Sequence, residues 1–247
     1  MKLITVNIEG NKHLLDIGNL IAVEQPDVLC LQEVFATDLP QLVSAVNQYS
    51  QTQQFFVANA NVVGENKYGI APNGEWGNAM IARSSLFPGG EALFAQEFYS
   101  GSAAELPEFS GPNSPRRSLL AAVVSVRGQS LAICTTHFTW SAEGKATELQ
   151  QRDAKLLQTM LKRYNSYILC GDLNSPRGGA TYTTLSTGLT DHLPREIMTT
   201  IDPDLHYAGA LQLAVDTVFS TPDIHSMKAK VVSGVSDHMA VVVDFDF

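Results

Sequence analysis

Apolar positions along the chain keep two rhythms. Consecutive or alternating apolar residues mark strands with one or both faces buried. They run through KLITVNI (2–8), VLCLQE (28–33), FFVANA (55–60), NAMIARS (78–84), EALFAQEF (91–98), SLLAAVVSV (118–126) and SLAICTTHF (130–138). Helical spacing appears over 11–24, 38–49 and about 144–163, where Leu149, Leu156, Leu157, Met160, Leu161 and Tyr164 share one face. A strand at 166–172, a short helix near 179–186, an irregular stretch over 190–212 and strands at 214–220, 224–233 and 239–246 follow. Pro26 and Asp27 stop the first helix before the second strand. Arg127-Gly128-Gln129 joins 118–126 to 130–138 as a hairpin. Residues 99–116, dominated by glycine, proline and serine, keep no rhythm, and loops of that length are usually functional or disordered. With strands outnumbering helices and no linker-like shift in composition, one α/β domain over 1–247 is expected. Mixed sheets packed on each other, with helices outside, suit it best.

Composition narrows the classes. The 247 residues, 45 % hydrophobic and 17 % charged, are ample for a core. Sixteen lysines and arginines against 25 acidic residues leave a net charge of −9, which disfavours general binding to nucleic-acid backbones unless basic groups gather locally. No apolar run approaches the roughly 18 residues that cross a bilayer, and MKLITVNIEG turns polar too early for a signal peptide. Cys30, Cys134 and Cys170 lie within or at the end of apolar runs and read as buried, reduced thiols, so a cytoplasmic protein is expected.

Polar residues recur where strands end. Asn7 closes the first strand and Glu33 the second; Asn78 opens GNAMIARS and Arg117 opens RSLLAAVV. His137 ends its strand, Asp172 and Asn174 close YILCGDLN, Asp216 interrupts LAVDTVFS, and Asp237-His238 precede the last strand. Singly, each has a plain reading. GDLN has turn composition, Glu33 suits a solvated strand end, and His137 suits a hydrogen-bonded core histidine. Asp216 resists it, because a carboxylate inside an apolar run needs a partner. Together, such residues at the ends of separate strands describe a metal-assisted hydrolytic site.

The order TVN, LQEV, GNAMIARS, RRSLLA, TTHF, GDLN, VDTVF and SDH resembles the endonuclease/exonuclease/phosphatase superfamily, from residue 5 onward. The resemblance implies a four-layered α/β sandwich of the deoxyribonuclease I-like kind: two mixed sheets face to face, helices outside, the site at one edge. It implies that Glu33 binds a divalent metal with Asn7 and Glu9 beside it. Asp172 would orient or deprotonate the attacking water, and Asn174 would steady that water and the phosphate. His238 would face the scissile phosphate with Asp216 fixing its tautomer, and Asp237 would assist metal or water. His137 would be a second phosphate-facing donor, with Asn78 and Arg117 flanking the phosphate. Oxygen ligands favour Mg²⁺ or Mn²⁺.

The implied function is metal-dependent hydrolysis of a phosphate ester, a phosphodiester first. The alternatives are a nuclease on single-stranded or structured nucleic acid and a non-catalytic binding module on the same fold. No further DNA-contacting motif or basic stripe accompanies the site. Arg116, Arg117, Arg177, Lys145 and Arg152 lead us to expect a small electropositive mouth, suited to a small or single-stranded ester or a phospholipid head group. No protein partner is readable. Substrate choice is expected from loops such as 61–77, 99–116 and 194–212.

Overall fold

In the computed structural model, which describes residues 1–90 and 92–247, two six-stranded sheets pack face to face. One has the order β11-β12-β1-β2-β4-β3 and the other β5-β6-β7-β8-β10-β9. The first comprises β1 (Lys2–Asn7), β2 (Val28–Phe35), β3 (Thr52–Val62), β4 (Gly74–Arg83), β11 (His225–Val232) and β12 (Ala240–Asp246). The second comprises β5 (Leu93–Ser100), β6 (Arg117–Val126), β7 (Gln129–His137), β8 (Tyr167–Asp172), β9 (Thr190–Asp191) and β10 (Asp216–Ser220). Glu91, where the fifth predicted strand was to begin, lies outside the described residues. The short β9 emerges from the stretch read as irregular, as an edge partner of β10.

The strands are nearly continuous in apolar residues because each sheet is covered on both faces. Leu3, Cys30, Met80, Leu120, Ile133, Cys170 and Val241 point between the sheets. Ile4, Leu29, Leu31 and Val242 point outward, against α1 (Leu14–Glu24) and α2 (Leu39–Asn47). On the far side Leu119, Cys134, Leu169 and Phe219 meet α3 (Glu148–Leu161) and α4 (Ala180–Ser186). Period-two alternation thus fills three apolar layers at once, and the order helices, sheet, sheet, helices is the expected four-layered α/β sandwich. All three cysteines are free and buried. No helix among the described residues is long and apolar enough to cross a membrane.

Two helices start later than their periodicity implies. Glu9 and Gly10 take positive φ, so the chain turns before α1 begins at Leu14. Glu143 and Gly144 do the same before α3, whose first turn is capped by the Thr147 hydroxyl accepting from the Gln150 N–H at 3.2 Å.

Each sheet contains one parallel pair near its centre, β1 with β2 and β7 with β8, joined by a helical crossover. Gly171 makes the second pair possible. Its φ is +133° and an added Cβ would lie 2.0 Å from the Thr136 carbonyl oxygen. Gly171→Ala is expected to destabilise the fold by at least about 3 kcal/mol, read as a lowered urea midpoint. An unchanged midpoint would show that β8 can move away from β7 freely.

Candidate active site

Strand register delivers the site. Asn7 lies opposite Gln32 at the carboxyl ends of β1 and β2, and His137 lies opposite Asp172 at the carboxyl ends of β7 and β8. Asp216, the first residue of the antiparallel β10, is the other neighbour of Asp172. The carboxyl ends of both parallel pairs therefore open on one edge, where ligands of open α/β sheets bind. The sheets are tied there by a hydrogen bond from Asn7 Nδ2 to Asp172 Oδ2 at 3.2 Å.

Asp172 divides its two oxygens. Oδ1 accepts the Asn174 N–H at 2.8 Å, an Asx turn that explains the turn-like composition of GDLN. Oδ2 meets Asn7 and lies 3.4 Å from His137 Nε2 and 3.9 Å from His238 Nε2. Burial raises the proton affinity of this carboxyl, but the His238 charge and the donors of Asn174 and Asn7 hold it below the ordinary value. Asn174, at φ +47°, turns its side chain back to donate to the Phe138 carbonyl at 2.9 Å. Gln150 Nε2 holds the Asn174 carbonyl at 3.0 Å.

Glu33 sits in a bulge. Its φ of +61° shifts the β2–β4 register between Leu31 and Val34, the device by which an edge re-aims a side chain. Burial, then the neighbouring Asp237 charge, push its carboxyl up to about 8 against the Asn7 hydrogen bond. Asp237 is held by the Ser236 hydroxyl at 3.1 Å, and its carbonyl accepts the Asp202 N–H at 2.8 Å. Glu9 also lines the cleft, but one of its oxygens pairs with Lys12 and the other lies 3.1 Å from His13 Nε2.

His238 Nδ1 meets Asp216 Oδ2 at 2.8 Å. Burial works against a charged ring, but Asp216 and Asp172 outweigh it and hold the imidazole well above its ordinary value. Thr200 donates to the same Asp216 oxygen at 2.6 Å, while its own oxygen accepts the N–H groups of Val215 and Asp216 at 3.0 Å each. Asp172, Asp216 and His238 bring one potential ligand atom each within 4.8 Å of one another. His137 is different: burial, then the Arg117 charge, press it down to about 3, so its ring is neutral, and its Nδ1, 3.8 Å from Glu33 Oε1, makes no hydrogen bond among the described residues.

Arg117 is buried, and its guanidinium bonds the carbonyls of His137 and Pro112 while facing the cleft. Asn78 does not reach the cleft. It is buried in β4 and turned toward the other sheet, where its Nδ2 donates to Ser118 at 3.4 Å, so a phosphate-flanking position is corrected for this residue. The electropositive mouth is corrected as well. Arg116 serves backbone carbonyls, Arg177 pairs with Asp191, Lys145 with Glu143 and Arg152 with Asp153. Among the described residues only Arg117 and Lys67 are lysines or arginines on the cleft wall, facing the carboxylates Glu9, Glu33, Glu143, Asp172 and Asp237.

The cleft encloses about 390 Å³, and the three loops expected to choose a substrate do line it, through Tyr68 and Trp76, Phe109 and Pro112, and His206 and Tyr207. Thr200, Asp202 and Gln150, which brace the site, carry no motif. Asp202 is a buried carboxylate whose oxygens accept from Asp204, Leu205 and Gly234, pinning the His206 loop to the segment before His238. Its only trace in the sequence is an Asp beside a proline in a stretch without rhythm.

Known proteins with this architecture place the chain. A mannosyl-6-phosphatase of Bacteroides thetaiotaomicron superposes with a TM-score of 0.69 at 16 % identity, over 100 % of this chain and 100 % of its own. The human Nocturnin catalytic domain with bound sulfate anion gives 0.72 at 19 %, over 100 % and 93 %. TDP2 of D. rerio, complexed with single strand DNA product, gives 0.68 at 17 %, over 100 % and 99 %. At such identities the likeness is one of fold. No curated protein sequence matches the chain. The sequence model of the Endonuclease/Exonuclease/phosphatase family, however, matches residues 4–238, nearly the whole length, and the chain belongs to that family.

Proposed function

We propose that the chain is a Mg²⁺- or Mn²⁺-dependent phosphoesterase, a phosphodiesterase in the first instance, that directs water onto a phosphate held in this cleft. The observation that carries the reading is Asp172. One carboxylate, fixed by donors from both sheets and kept ionised, lies between a neutral and a charged imidazole beside a buried guanidinium.

The residues present suit a hard divalent cation. Glu33 is half-buried beside Asp237 and Asp172, and its carboxyl rises to about 8 first through lost solvation and then through the Asp237 charge, both of which a cation would offset. In this reading Glu33, Asn7 and Asp237 hold the ion, and Asn7 Oδ1, which accepts from the Glu9 N–H at 3.1 Å, keeps a second lone pair. Glu9 stays outside the set because its charge is already neutralised by Lys12, and its second oxygen is turned to His13. The grouping of Asp172, Asp216 and His238 is less suited, because a protonated imidazole has no lone pair to offer. When bound, the ion would neutralise charge building on the phosphoryl oxygens. Asp172 then orients the water and accepts its proton. Asn174, anchored on the Phe138 carbonyl, holds Asp172 at the end of β8 through its own N–H. His238 donates to the phosphate from Nε2 while Asp216 holds Nδ1, and neutral His137 and charged Arg117 contact the remaining oxygens. Atoms placed before the charge develops cost no reorganisation at the moment of reaction. The three buried thiols suit a reducing compartment, and the proposal places the enzyme in the cytoplasm.

Removal of the metal tests the reading. Hydrolysis of bis-(p-nitrophenyl) phosphate should vanish in EDTA and return with Mg²⁺ or Mn²⁺. The ion should also raise the melting temperature, by about 2.7 kcal/mol of stabilisation at a hundred times its Kd. Glu33→Gln replaces a carboxyl that folding forces to take up a proton at neutral pH, so the metal-free variant should melt at or above the metal-free wild type and respond far less to Mg²⁺. Full activity in excess chelator would sink the metal assignment. A non-catalytic binding module would show the thermal response and no turnover on any phosphate ester.

A further inference from the structure

A chain of ring contacts runs around the cleft and ends on both site histidines. His137 meets Trp76 at a centroid separation of 5.9 Å, Trp76 meets Phe109 at 5.6 Å, and Phe109 meets Tyr68 at 6.0 Å. Tyr68 then meets Tyr207 edge-on at 6.0 Å, Tyr207 meets His206 at 4.6 Å, and His206 meets His238 at 6.4 Å. All six separations lie within the range of attractive aromatic pairing. The five rings between the two histidines belong to none of the motifs that identify the family in this sequence, and the hydrolytic roles proposed above do not use Trp76, Phe109, Tyr68, Tyr207 or His206.

The two tyrosines stand on loops held in place from within. Asn66 accepts the N–H groups of Tyr68 and Ile70 and donates to the Ile70 carbonyl at 2.9 Å, and Ile70 is buried beneath. Across the cleft, Asp202 accepts from Asp204 and Leu205 while its carbonyl holds the His206 N–H at 3.0 Å. The contact between Tyr68 and Tyr207 thus bridges two braced loops, although Tyr207 itself is 75 % exposed. One further group lacks a partner. Trp76 is 2 % exposed, stands on the cleft wall, and its indole Nε1 donates to nothing among the described residues. A buried donor left unpaired is costly.

We propose that the ester this cleft accepts carries a single planar aromatic group next to its phosphate, laid on the half-buried rings of Phe109 and Tyr68, which the buried Trp76 backs, beneath Tyr207. The inference rests on the phosphoesterase reading and specifies its substrate class. The phosphate end is fixed by Arg117 and the two histidines, and both ends of the ring chain meet it there. A volume of about 390 Å³ sits at the small end of ligand pockets, so the aromatic unit is one ring system and not a stretch of duplex. An aliphatic chain would lie on the same wall but gain none of the stacking, which is worth roughly five- to a hundredfold in affinity per ring.

Inert phosphonates separate the possibilities. Binding to the Mg²⁺-loaded chain is measured by calorimetry for inorganic phosphate, phenylphosphonate and butylphosphonate, and for thymidine 5′-phosphonate against its abasic deoxyribose counterpart. At least one aromatic probe should bind fivefold or more tighter than its aliphatic partner, and which one does tells an aryl ester from a nucleotide. That preference should fall toward unity in Tyr68→Ala/Tyr207→Ala, or in the volume-keeping Tyr68→Leu/Tyr207→Leu should the first not fold. If both aromatic probes merely equal their partners while phosphate binds, or if the preference survives both variants, the aromatic subsite is wrong and the phosphoesterase reading stands. If nothing binds, phosphate included, both fall together.

Discussion

Asp172→Asn is expected to leave the protein folded and to lower kcat by about 10²–10⁴, the range for losing general-base assistance, with KM near its original value. The substitution keeps the shape. An asparagine oxygen can still take the Asn174 N–H that Asp172 Oδ1 receives at 2.8 Å. At the other position its amide would face the Asn7 Nδ2 donor, now 3.2 Å from Oδ2, and one hydrogen bond is lost there. Two buried donors then face each other, which costs roughly 1–3 kcal/mol of stability, visible as a drop in the melting temperature. The barrier should rise by about 3–5 kcal/mol, at 1.36 kcal/mol per tenfold. The two effects differ enough to be read separately from one variant. Were GDLN only a turn, the same change would be nearly silent in kcat, because asparagine makes Asx turns as readily as aspartate. A folded variant within threefold of the wild type would return the stretch to that role.

Much of this site was legible because it is written at strand ends. Apolar runs locate β1, β2, β7, β8 and β10, and the polar residue that stops or opens each run is the one the register brings to the common edge. Parallel pairing did the rest, setting His137 beside Asp172 with no help from local sequence. What escaped depends on backbone or on distant partners. The bulge that aims Glu33 needs a glutamate at φ +61°, a conformation no propensity assigns to it. Asn78 stands at the start of a strand in the sequence, but on which side of β4 it falls is fixed by the pairing with β3 and β2, and it lies between the sheets. The basic residues misled for a similar reason. Counting arginines near the motifs says nothing about which carbonyl or carboxylate each will find, and all but Arg117 found one away from the cleft wall. The aromatic ring chain is assembled from Trp76 in β4 and from three loops without periodicity, so only their approach in space discloses it.

The pair of Asp216 and His238 should behave as one unit. His238→Ala is expected to lower kcat by about 10²–10⁴, through loss of the donor to the phosphate. Asp216→Asn should cost less than that or as much, and the reason lies with Thr200. The Thr200 oxygen already accepts two backbone N–H groups, so its one hydrogen must point at residue 216. An asparagine there is therefore obliged to turn its oxygen toward Thr200 and His238, and the ring keeps its acceptor at Nδ1. What disappears is the negative charge that, against burial, holds the imidazole well above its ordinary value. The variant thus keeps the geometry and weakens the donor, unlike the serine-protease triad, where the same exchange fixes the wrong tautomer. Once the ring is gone, Asp216 has nothing left to act upon. The double variant should then be no slower than His238→Ala alone, because losses within a unit do not add. Melting curves for all three proteins separate this from unfolding, since removing one member of a buried charged pair can cost about 3–5 kcal/mol of stability by itself. Two losses that multiply in well-folded proteins would mean that Asp216 acts on the phosphate or the water by a route of its own.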